Sequence, residues 1–138
     1  MGRKLQRRAR KGRATCMRVD CEKLASALAE RMQRVVPEGF VVLSRACFIH
    51  FQDQRSGHRS GTYGCEYAAS APSLDFLLIR VRQALDDLQT FISESTTIPW
   101  PGTHNLPTAH AHVEGDALRM WYSDGDKPLL RLDDIRLS

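Results

Sequence analysis

The sequence has no hydrophobic run long enough to cross a membrane. Its apolar stretches, such as residues 74–79, are broken by charged residues, whereas a membrane-spanning helix needs roughly 20 consecutive apolar residues. The positively charged N-terminus is not followed by the apolar core of a secretory signal. We therefore expect a soluble, cytoplasmic protein that does not contact membranes. Its 138 residues are enough for one domain with its own core.

Paired-cysteine motifs are absent as well. The four cysteines are Cys16, Cys21, Cys47 and Cys65, and they form no CxxC pair, which removes the usual zinc and dithiol redox signatures. Cys47 and Cys65 lie within apolar or aromatic stretches, where cysteine behaves as a small hydrophobic residue. The sequence therefore predicts reduced, largely buried thiols rather than a disulfide framework.

Acidic residues are missing from the first 18 positions. The basic residues there number eight: Arg3, Lys4, Arg7, Arg8, Arg10, Lys11, Arg13 and Arg18. Subtracting these eight from the 20 Lys and Arg leaves 12 basic against 16 acidic side chains, so residues 19–138 carry a net charge of about −4. Like charges and few apolar groups favour disorder. We predict a disordered basic arm at 1–18 and a single α+β domain at 19–138, with Met17 as an alternative start.

Two helices are indicated by apolar periodicity. Asp20 is a favourable N-cap, and apolar residues recur at helical spacing from Leu24 to Val35, before Pro37 ends the pattern. A second helix is predicted within residues 72–97, which carry one wide apolar stripe. Its members are Leu74, Leu77, Leu78, Val81, Leu85, Leu88, Phe91 and Ile92. Such a stripe needs a sheet or another helix to cover it.

The remaining segments have the composition and alternation of strands. They are residues 40–52, 62–69, 108–114, 117–123 and 129–137, separated by polar loops or by short turns. Strands that are joined by short turns pair antiparallel. The order α-β-β-α-β-β-β therefore predicts an α+β fold in which two helices cover one face of an antiparallel sheet of about five strands.

Three segments resemble one group of known sequences. Residues 84–91 (Ala-Leu-Asp-Asp-Leu-Gln-Thr-Phe), 99–102 (Pro-Trp-Pro-Gly) and 113–122 (Val-Glu-Gly-Asp-Ala-Leu-Arg-Met-Trp-Tyr) are similar to small uncharacterised proteins of high-GC actinobacteria. The likeness extends over roughly residues 20–138 and leaves out the basic arm. The resemblance implies a bacterial, cytosolic origin, and it implies no activity because none is known for that group.

Aromatic residues supply the main candidate site. Pro99 and Pro101 restrict the backbone on both sides of Trp100, so its indole is presented at little entropic cost; the alternative is that the ring folds back over the end of the second helix. Trp121 and Tyr122 point to opposite faces of one strand, which makes one of them core and the other surface. We hypothesise a small non-enzymatic module that binds a protein partner or itself through an open sheet face or edge. Its partner-binding residues are Trp100, Trp121 and Tyr122.

The basic arm suggests an alternative function, nucleic-acid binding. Its side chains could neutralise phosphates, and the affinity would then be strongly salt-dependent. The residues concerned are Arg3, Lys4, Arg7, Arg8, Arg10, Lys11 and Arg13. The arm has no aromatic residue for base stacking, and an acidic domain would repel the same phosphates. The interaction module therefore stays the leading hypothesis.

A second alternative is a metal-dependent or thiol enzyme. His110 and His112 are two residues apart and lie on the same side of a strand, a spacing that zinc can use together with a further ligand. No third ligand is fixed by spacing, no HExxH pattern occurs, and Cys65 is not part of a recognisable nucleophile turn. The two histidines are better explained as strand residues on a partly exposed face. We therefore expect no metal, no other cofactor and no catalysis.

Overall fold

Two helices and six strands follow one another in the order α-β-β-β-α-β-β-β in the computed structural model, which describes residues 19–64 and 73–137. The elements are α1 (Cys21–Gln33), β1 (Phe40–Arg45), β2 (Phe48–Asp53), β3 (Arg59–Tyr63), α2 (Leu74–Thr96), β4 (Thr108–Glu114), β5 (Ala117–Asp124) and β6 (Lys127–Arg136). The predicted disordered arm, residues 1–18, lies outside the described residues, and so does the later part of the strand predicted at 62–69.

The first helix begins where the sequence predicts it. Asp20 is the N-cap, and its Oδ1 accepts hydrogen bonds from the backbone amides of Glu22 at 3.0 Å and Lys23 at 3.2 Å. These bonds satisfy two of the amides that the first turn of any helix leaves free. The buried face consists of Leu24, Ala25, Leu28, Ala29 and Met32. The predicted apolar periodicity therefore does form the side of α1 that packs against the sheets.

The second helix carries the widest apolar surface of the described chain. Its N-cap is Ser73, whose hydroxyl oxygen accepts a hydrogen bond from the Phe76 amide at 3.1 Å, and it ends where Thr97 adopts a left-handed φ of 60°. The buried residues are Leu77, Val81, Ala84, Leu85, Leu88, Gln89, Phe91 and Ile92. Neither α2 nor α1 has a stretch long and apolar enough to span a membrane.

The strands form two separate antiparallel sheets. Sheet one has the order β1-β2-β3 and sheet two the order β4-β5-β6. The prediction of two helices on one face of a single sheet of about five strands is therefore wrong, and so is the predicted order of elements. The reason is that α2 contacts strands of both sheets with its wide stripe, and α1 also contacts both. The apolar stripe of α2, which the sequence predicted one sheet would cover, is instead divided between the two sheets.

A missed turn accounts for the sixth strand. Ala46 adopts a left-handed φ of 55°, and the chain reverses there, so that Arg45 pairs with Phe48 within what was predicted as one strand at 40–52. Glycine or asparagine normally marks such a turn, and alanine gives no signal for it. The predicted polar loop at 53–61 is also shorter, because β3 already begins within it.

Ring contacts and a buried hydrogen bond join the helices to the sheets. Phe91 of α2 lies against Phe40 and Phe51 of sheet one, with 6.0 Å and 5.7 Å between ring centroids. On sheet two, the Tyr122 hydroxyl donates a hydrogen bond to the Leu85 carbonyl of α2 at 2.7 Å. Buried side chains from both helices and both sheets form one continuous core. The outward faces and the edges of the sheets are therefore the surfaces left for a partner.

Candidate functional site

The two neighbouring aromatic residues of β5 point to opposite faces. Tyr122 is fully buried beneath α2. Burial, and to a lesser degree the nearby Asp86 carboxylate, raises the pKa of the Tyr122 phenol well above its usual range. Trp121 is half-buried and lies on the outer face of sheet two. Of these two partner-binding candidates on β5, only Trp121 is therefore on a surface.

Trp100 packs back onto the molecule. Its ring meets Tyr122 edge to face with 5.4 Å between centroids, and the side chain is half-buried. The Trp100–Pro101 peptide bond is cis. The ring thus folds back, as in the alternative that the sequence left open, but its ring contact is with Tyr122 of β5 rather than with the end of α2. Trp100 therefore covers part of the core near the start of β4, and its ring is not freely presented.

A row of side chains crosses the outer face of sheet two. His110 of β4, Trp121 of β5 and Arg131 of β6 are cross-strand neighbours. The His110 ring stacks on Trp121 with 5.0 Å between centroids and 16° between planes, and its Nε2 lies 2.7 Å from the hydroxyl oxygen of Ser123. We call His110, His112, Trp121 and Arg131 the Trp121 face. The structure thus brings together three residues that the sequence had singled out separately.

Ion pairs border the Trp121 face. Arg119 bonds Glu114 at 2.8 Å and approaches Asp134 at 3.9 Å, while Arg131 contacts Asp134 at 3.1 Å. The side chains of Glu114, Arg119 and Arg131 are exposed and that of Asp134 is partly exposed, so each pair adds little to stability. Their charges balance one another around the stacked aromatic pair. A partner would therefore meet an aromatic centre with a polar rim, which is a common composition of protein interfaces.

Edge strands need separate consideration, because their outward backbone groups can pair with another chain unless they are protected. The edge of β1 is closed by Gln33, the last residue of α1. Its Oε1 accepts a hydrogen bond from the Val42 amide at 2.7 Å, and its Nε2 donates one to the Phe40 carbonyl at 3.1 Å. The Gln33 side chain thus takes the place of the backbone of a further strand.

The edge of β6 is protected in a different way. Arg31 of α1 donates a hydrogen bond to the Asp134 carbonyl at 3.2 Å, and Arg34 pairs with the Asp133 carboxylate at 2.6 Å. Two register shifts interrupt the pairing of β6 with β5, and the strand also contains Pro128 and several charged residues. Bulges, prolines and charges all discourage the addition of another strand.

The edge of β4 is less protected than these two. Gln89 of α2 donates a hydrogen bond from its Nε2 to the Pro107 carbonyl at 2.7 Å just before the strand begins, and α2 packs against β4, but no described side chain bonds the backbone of residues 108–114. Among residues 19–64 and 73–137, the backbone of β4 forms hydrogen bonds only with β5. Its seven residues, Thr-Ala-His-Ala-His-Val-Glu, include no proline and no Lys or Arg, and their one charge is Glu114 at the end. The remaining edge strand, β3, is shorter at five residues, and its Thr62 hydroxyl is bonded to Asp87 of α2 at 2.6 Å. Among the edge strands of the described chain, β4 therefore offers the longest stretch of backbone that no side chain caps.

Sequence reasoning placed His110 and His112 on one side of a strand but did not identify that strand as an open edge. The absence of proline and of basic residues from 108–114 is a signal that could have suggested it. The role of Gln33 had no sequence signal, because it depends on how α1 lies against β1. Comparing the edges thus required the tertiary structure.

The contact between Ser123 and His110 contains two groups that a hydrolase would use, but not the rest of such a site. A nucleophilic serine needs an accessible hydroxyl and a base that is itself oriented by a third group. Ser123 is only 4% exposed, and no hydrogen bond from a described residue orients the second ring nitrogen of His110. The described residues also hold no group of three or more His, Cys, Asp or Glu placed to bind a metal ion. The contact is best explained as a structural one.

The cysteines do not form a reactive centre within the described chain. Cys47 is a free, half-buried thiol, and burial, followed by the charges of Glu22 and Asp20, raises its pKa. A raised pKa disfavours the nucleophilic thiolate. Cys21 is disulfide-bonded, so the prediction of reduced thiols is wrong for this residue. Cys65, proposed from the sequence as a nucleophile, lies outside the described residues.

The basic arm also lies outside the described residues, so the structure does not place its seven candidate phosphate contacts. The described ranges contain 12 Lys and Arg and 15 Asp and Glu, one acidic residue fewer than 19–138 because Glu66 is not included. This balance gives the described part of the chain a net negative charge. Its surface would repel a nucleic-acid backbone, and nucleic-acid binding stays a prediction that depends on the arm.

Comparisons with known proteins do not assign the chain to a family. No family model matches it, and neither a curated protein nor a solved structure does so. The resemblance to small actinobacterial proteins therefore stays a prediction. The function has to be argued from the geometry of the chain itself.

Proposed function

We propose that this chain is a small non-enzymatic protein-interaction module that binds an extended segment of a protein partner, or of a second copy of itself, as an additional strand beside β4. The observation that carries the proposal is the backbone of β4, which no described side chain caps between Thr108 and Glu114, whereas Gln33 and Arg31 bond the backbones of the β1 and β6 edges. Backbone groups that point out of an edge strand offer the full set of hydrogen bonds that a further strand needs.

The side chains of β4 suit an added strand on both faces. Ala109, Ala111 and Val113 point inward, are small and pack against the core, so this side of β4 would favour apolar side chains on an incoming strand. His110 and His112 point outward and would contact every second side chain of that strand. Backbone pairing would thus supply the affinity, and the alternating side chains would supply the specificity.

Trp121 has a supporting role in this proposal. It lies one strand away from the edge and stacks on His110, while Ser123 is within hydrogen-bond distance of the same imidazole. These two contacts fix the His110 ring flat against the sheet. An added strand would therefore meet a rigid outer surface, which reduces the entropy lost on binding.

Selection from a displayed library of random nine-residue peptides, with the full chain as bait, tests the proposal. We expect the selected peptides to slow the exchange of amide hydrogens in β4. The substitution Ala111→Lys places a charge on the inward side of the edge and should weaken binding of these peptides by about tenfold or more.

The control variant for this experiment is Leu43→Lys, which adds the same charge to the outer face of sheet one, where Leu43 is 60% exposed. It should bind the peptides as the wild-type chain does. Peptides that protect amides of sheet one, or that lose affinity with Leu43→Lys and not with Ala111→Lys, would refute strand addition at β4. So would a selection from which no β4-protecting peptide emerges.

A further inference from the structure

We infer that the strand accepted by β4 is β4 of a second copy of this chain, so that two copies form one continuous six-stranded antiparallel sheet. The inference rests on the proposed strand addition at this edge and names its partner. It goes beyond that proposal because an added strand of another protein would not need to share the sequence of β4.

The sequence of β4 is self-complementary about its centre. In an antiparallel pair of two identical strands, a register centred on Ala111 is the one that pairs all seven residues. Ala111 then lies opposite the partner's Ala111, and His110 lies opposite the partner's His112. Ala109 faces the partner's Val113 and Thr108 faces the partner's Glu114, each pair occurring twice around the two-fold axis.

Each of these pairs is chemically compatible. The inward row joins small apolar side chains, and the outward row joins histidines at its centre, which stay compatible while they are neutral. At the ends, the Thr108 hydroxyl can donate a hydrogen bond to the partner's Glu114 carboxylate. No residue of β4 lies opposite a residue of the same fixed charge, which would destabilise the pair. Glu114 also bonds Arg119 of its own chain at 2.8 Å, so its charge is partly balanced.

The size of the contact predicts a weak dimer. A stable protein–protein interface usually buries about 800 Å² on each partner, and one pair of seven-residue strands offers less than that. The dimer should therefore dissociate on dilution. The prediction is a sedimentation coefficient that rises with concentration between about 5 µM and about 500 µM of full-length chain.

A pair of substitutions at one exposed residue tests the register. Thr108→Lys puts an ammonium group opposite the partner's Glu114 at both ends of the interface and should tighten dimerisation about fivefold; Thr108→Glu puts two carboxylates there and should weaken it by a similar factor. Thr108 is exposed, so both variants change a side chain at the surface of the described chain. Equal effects of the two substitutions on the dissociation constant would overturn the inferred register.

Cross-linking provides a second test that does not depend on the strength of the dimer. Opposite residues of antiparallel strands have Cα atoms about 4.5–5.5 Å apart, within the range that a disulfide spans. Ala111→Cys should therefore form an intermolecular disulfide at the substituted position on mild oxidation, identified by mass spectrometry of the linked peptide. In His112→Cys the two substituted positions would be more than about 7 Å apart, so this control should not cross-link.

The two proposals fail in different ways. If the full chain stays monomeric up to about 500 µM and Ala111→Cys does not cross-link, but selected peptides still protect β4, the second copy is excluded and strand addition stands. If the chain dimerises and Ala111→Lys leaves the dimer intact, the dimer uses another surface and the inference is wrong. Because Ala111 packs against the core, the result counts only if Ala111→Lys keeps the circular dichroism spectrum of the wild type. Dimerisation that this folded variant loses and Leu43→Lys retains would support both proposals.

Discussion

Sheet one and sheet two are built alike, but they differ at their edges. Each is a three-stranded antiparallel meander that follows a helix and shares the same core. β1 of sheet one receives two hydrogen bonds from Gln33, whereas the backbone of β4, the first strand of sheet two, receives none from a described side chain. Gln89 of α2 bonds only the Pro107 carbonyl, just before β4 begins. The two edges thus differ in how far a glutamine of the adjacent helix reaches along the strand: Gln33 bonds two backbone groups within β1, and Gln89 bonds one that precedes β4.

The outer faces of the two sheets differ as well. Sheet one exposes Leu43 by 60% and Tyr63 by 52%, and its Phe48 ring occupies the space that a Cβ at Gly61 would fill. Sheet two has a stacked aromatic pair that is surrounded by ion pairs. Exposed apolar side chains are common on soluble proteins and do not identify a partner. An open edge is more informative, because it specifies the backbone conformation of what binds to it.

The largest expected effect tests whether the two sheets share one core. Phe91→Ala removes the ring between α2 and sheet one and should lower the free energy of unfolding by about 3–5 kcal/mol. Both tryptophans report on the sheet-two side, since Trp100 contacts Tyr122 and Trp121 belongs to β5. The fluorescence midpoint should therefore fall together with the midpoint measured by circular dichroism.

The half-exposed Phe48 provides the control for that variant. Phe48→Ala should cost no more than about 1–2 kcal/mol, because the ring lies on the outer face of sheet one. If Phe91→Ala shifted the circular dichroism transition and left the tryptophan transition in place, the two sheets would unfold independently. The comparison of edges within one structure would then lose its basis.

The second-largest expected effect comes from Gln33→Ala, which would leave the edge of β1 without side-chain hydrogen bonds, like the backbone of β4. Gln33→Ala leaves the Val42 amide and the Phe40 carbonyl without their side-chain partner and should cost about 1–3 kcal/mol of stability. It should also increase self-association in sedimentation velocity, because sheet one gains an open edge. The control is Gln83→Ala, which removes a glutamine from an exposed position of α2. It should change the free energy of unfolding by less than about 0.5 kcal/mol. Equal behaviour of the two variants would show that Gln33 does not close β1.

The smallest effect concerns the attachment of sheet two to α2. Tyr122→Phe removes the hydrogen bond to the Leu85 carbonyl and should cost about 1 kcal/mol near neutral pH in chemical denaturation. Tyr63→Phe, at an exposed tyrosine, should have almost no effect. Loss of the same stability in both variants would mean that the Tyr122 hydroxyl does not join the layers.

The pH dependence of the Tyr122 variant has a definite sign. Burial raises the pKa of Tyr122 in the folded state, so above about pH 10 the unfolded chain releases a proton that the folded chain keeps. The stability contributed by the neutral phenol is therefore complete below that pH and is lost as the pH rises further. The difference in stability between wild type and Tyr122→Phe should narrow above about pH 10.

Much of sheet two could be predicted from the sequence, and sheet one could not. The bounds predicted for β4, 108–114, agree with the structure, because the turn at Gly115-Asp116 interrupts two alternating segments. In sheet one, the turn at Ala46 has no glycine or asparagine to mark it. The division into two sheets depends on how both helices are shared, and periodicity along the chain contains no information on which distant strands pair.

The candidate site was predictable to a similar extent. Alternation along β5 placed Trp121 and Tyr122 on opposite faces, but only the contact with Leu85 shows which one is buried. The stacking of His110 on Trp121 follows from the register of β4 with β5, which the short turn between them fixes. Protection of β1 by Gln33 joins residues of two different elements through the tertiary fold, so no local pattern could reveal it.

Hydrogen exchange at the two edges tests the central claim most directly. In the full-length chain at low concentration, the alternate amides of β4 that do not bond to β5 should exchange rapidly, while the Val42 amide of β1, bonded to Gln33, should exchange slowly. Raising the concentration should slow the exchange of those β4 amides and leave Val42 unchanged. If the β4 amides are already protected at the lowest concentration, or if concentration does not alter their exchange, β4 is not the open edge through which this chain binds its partner.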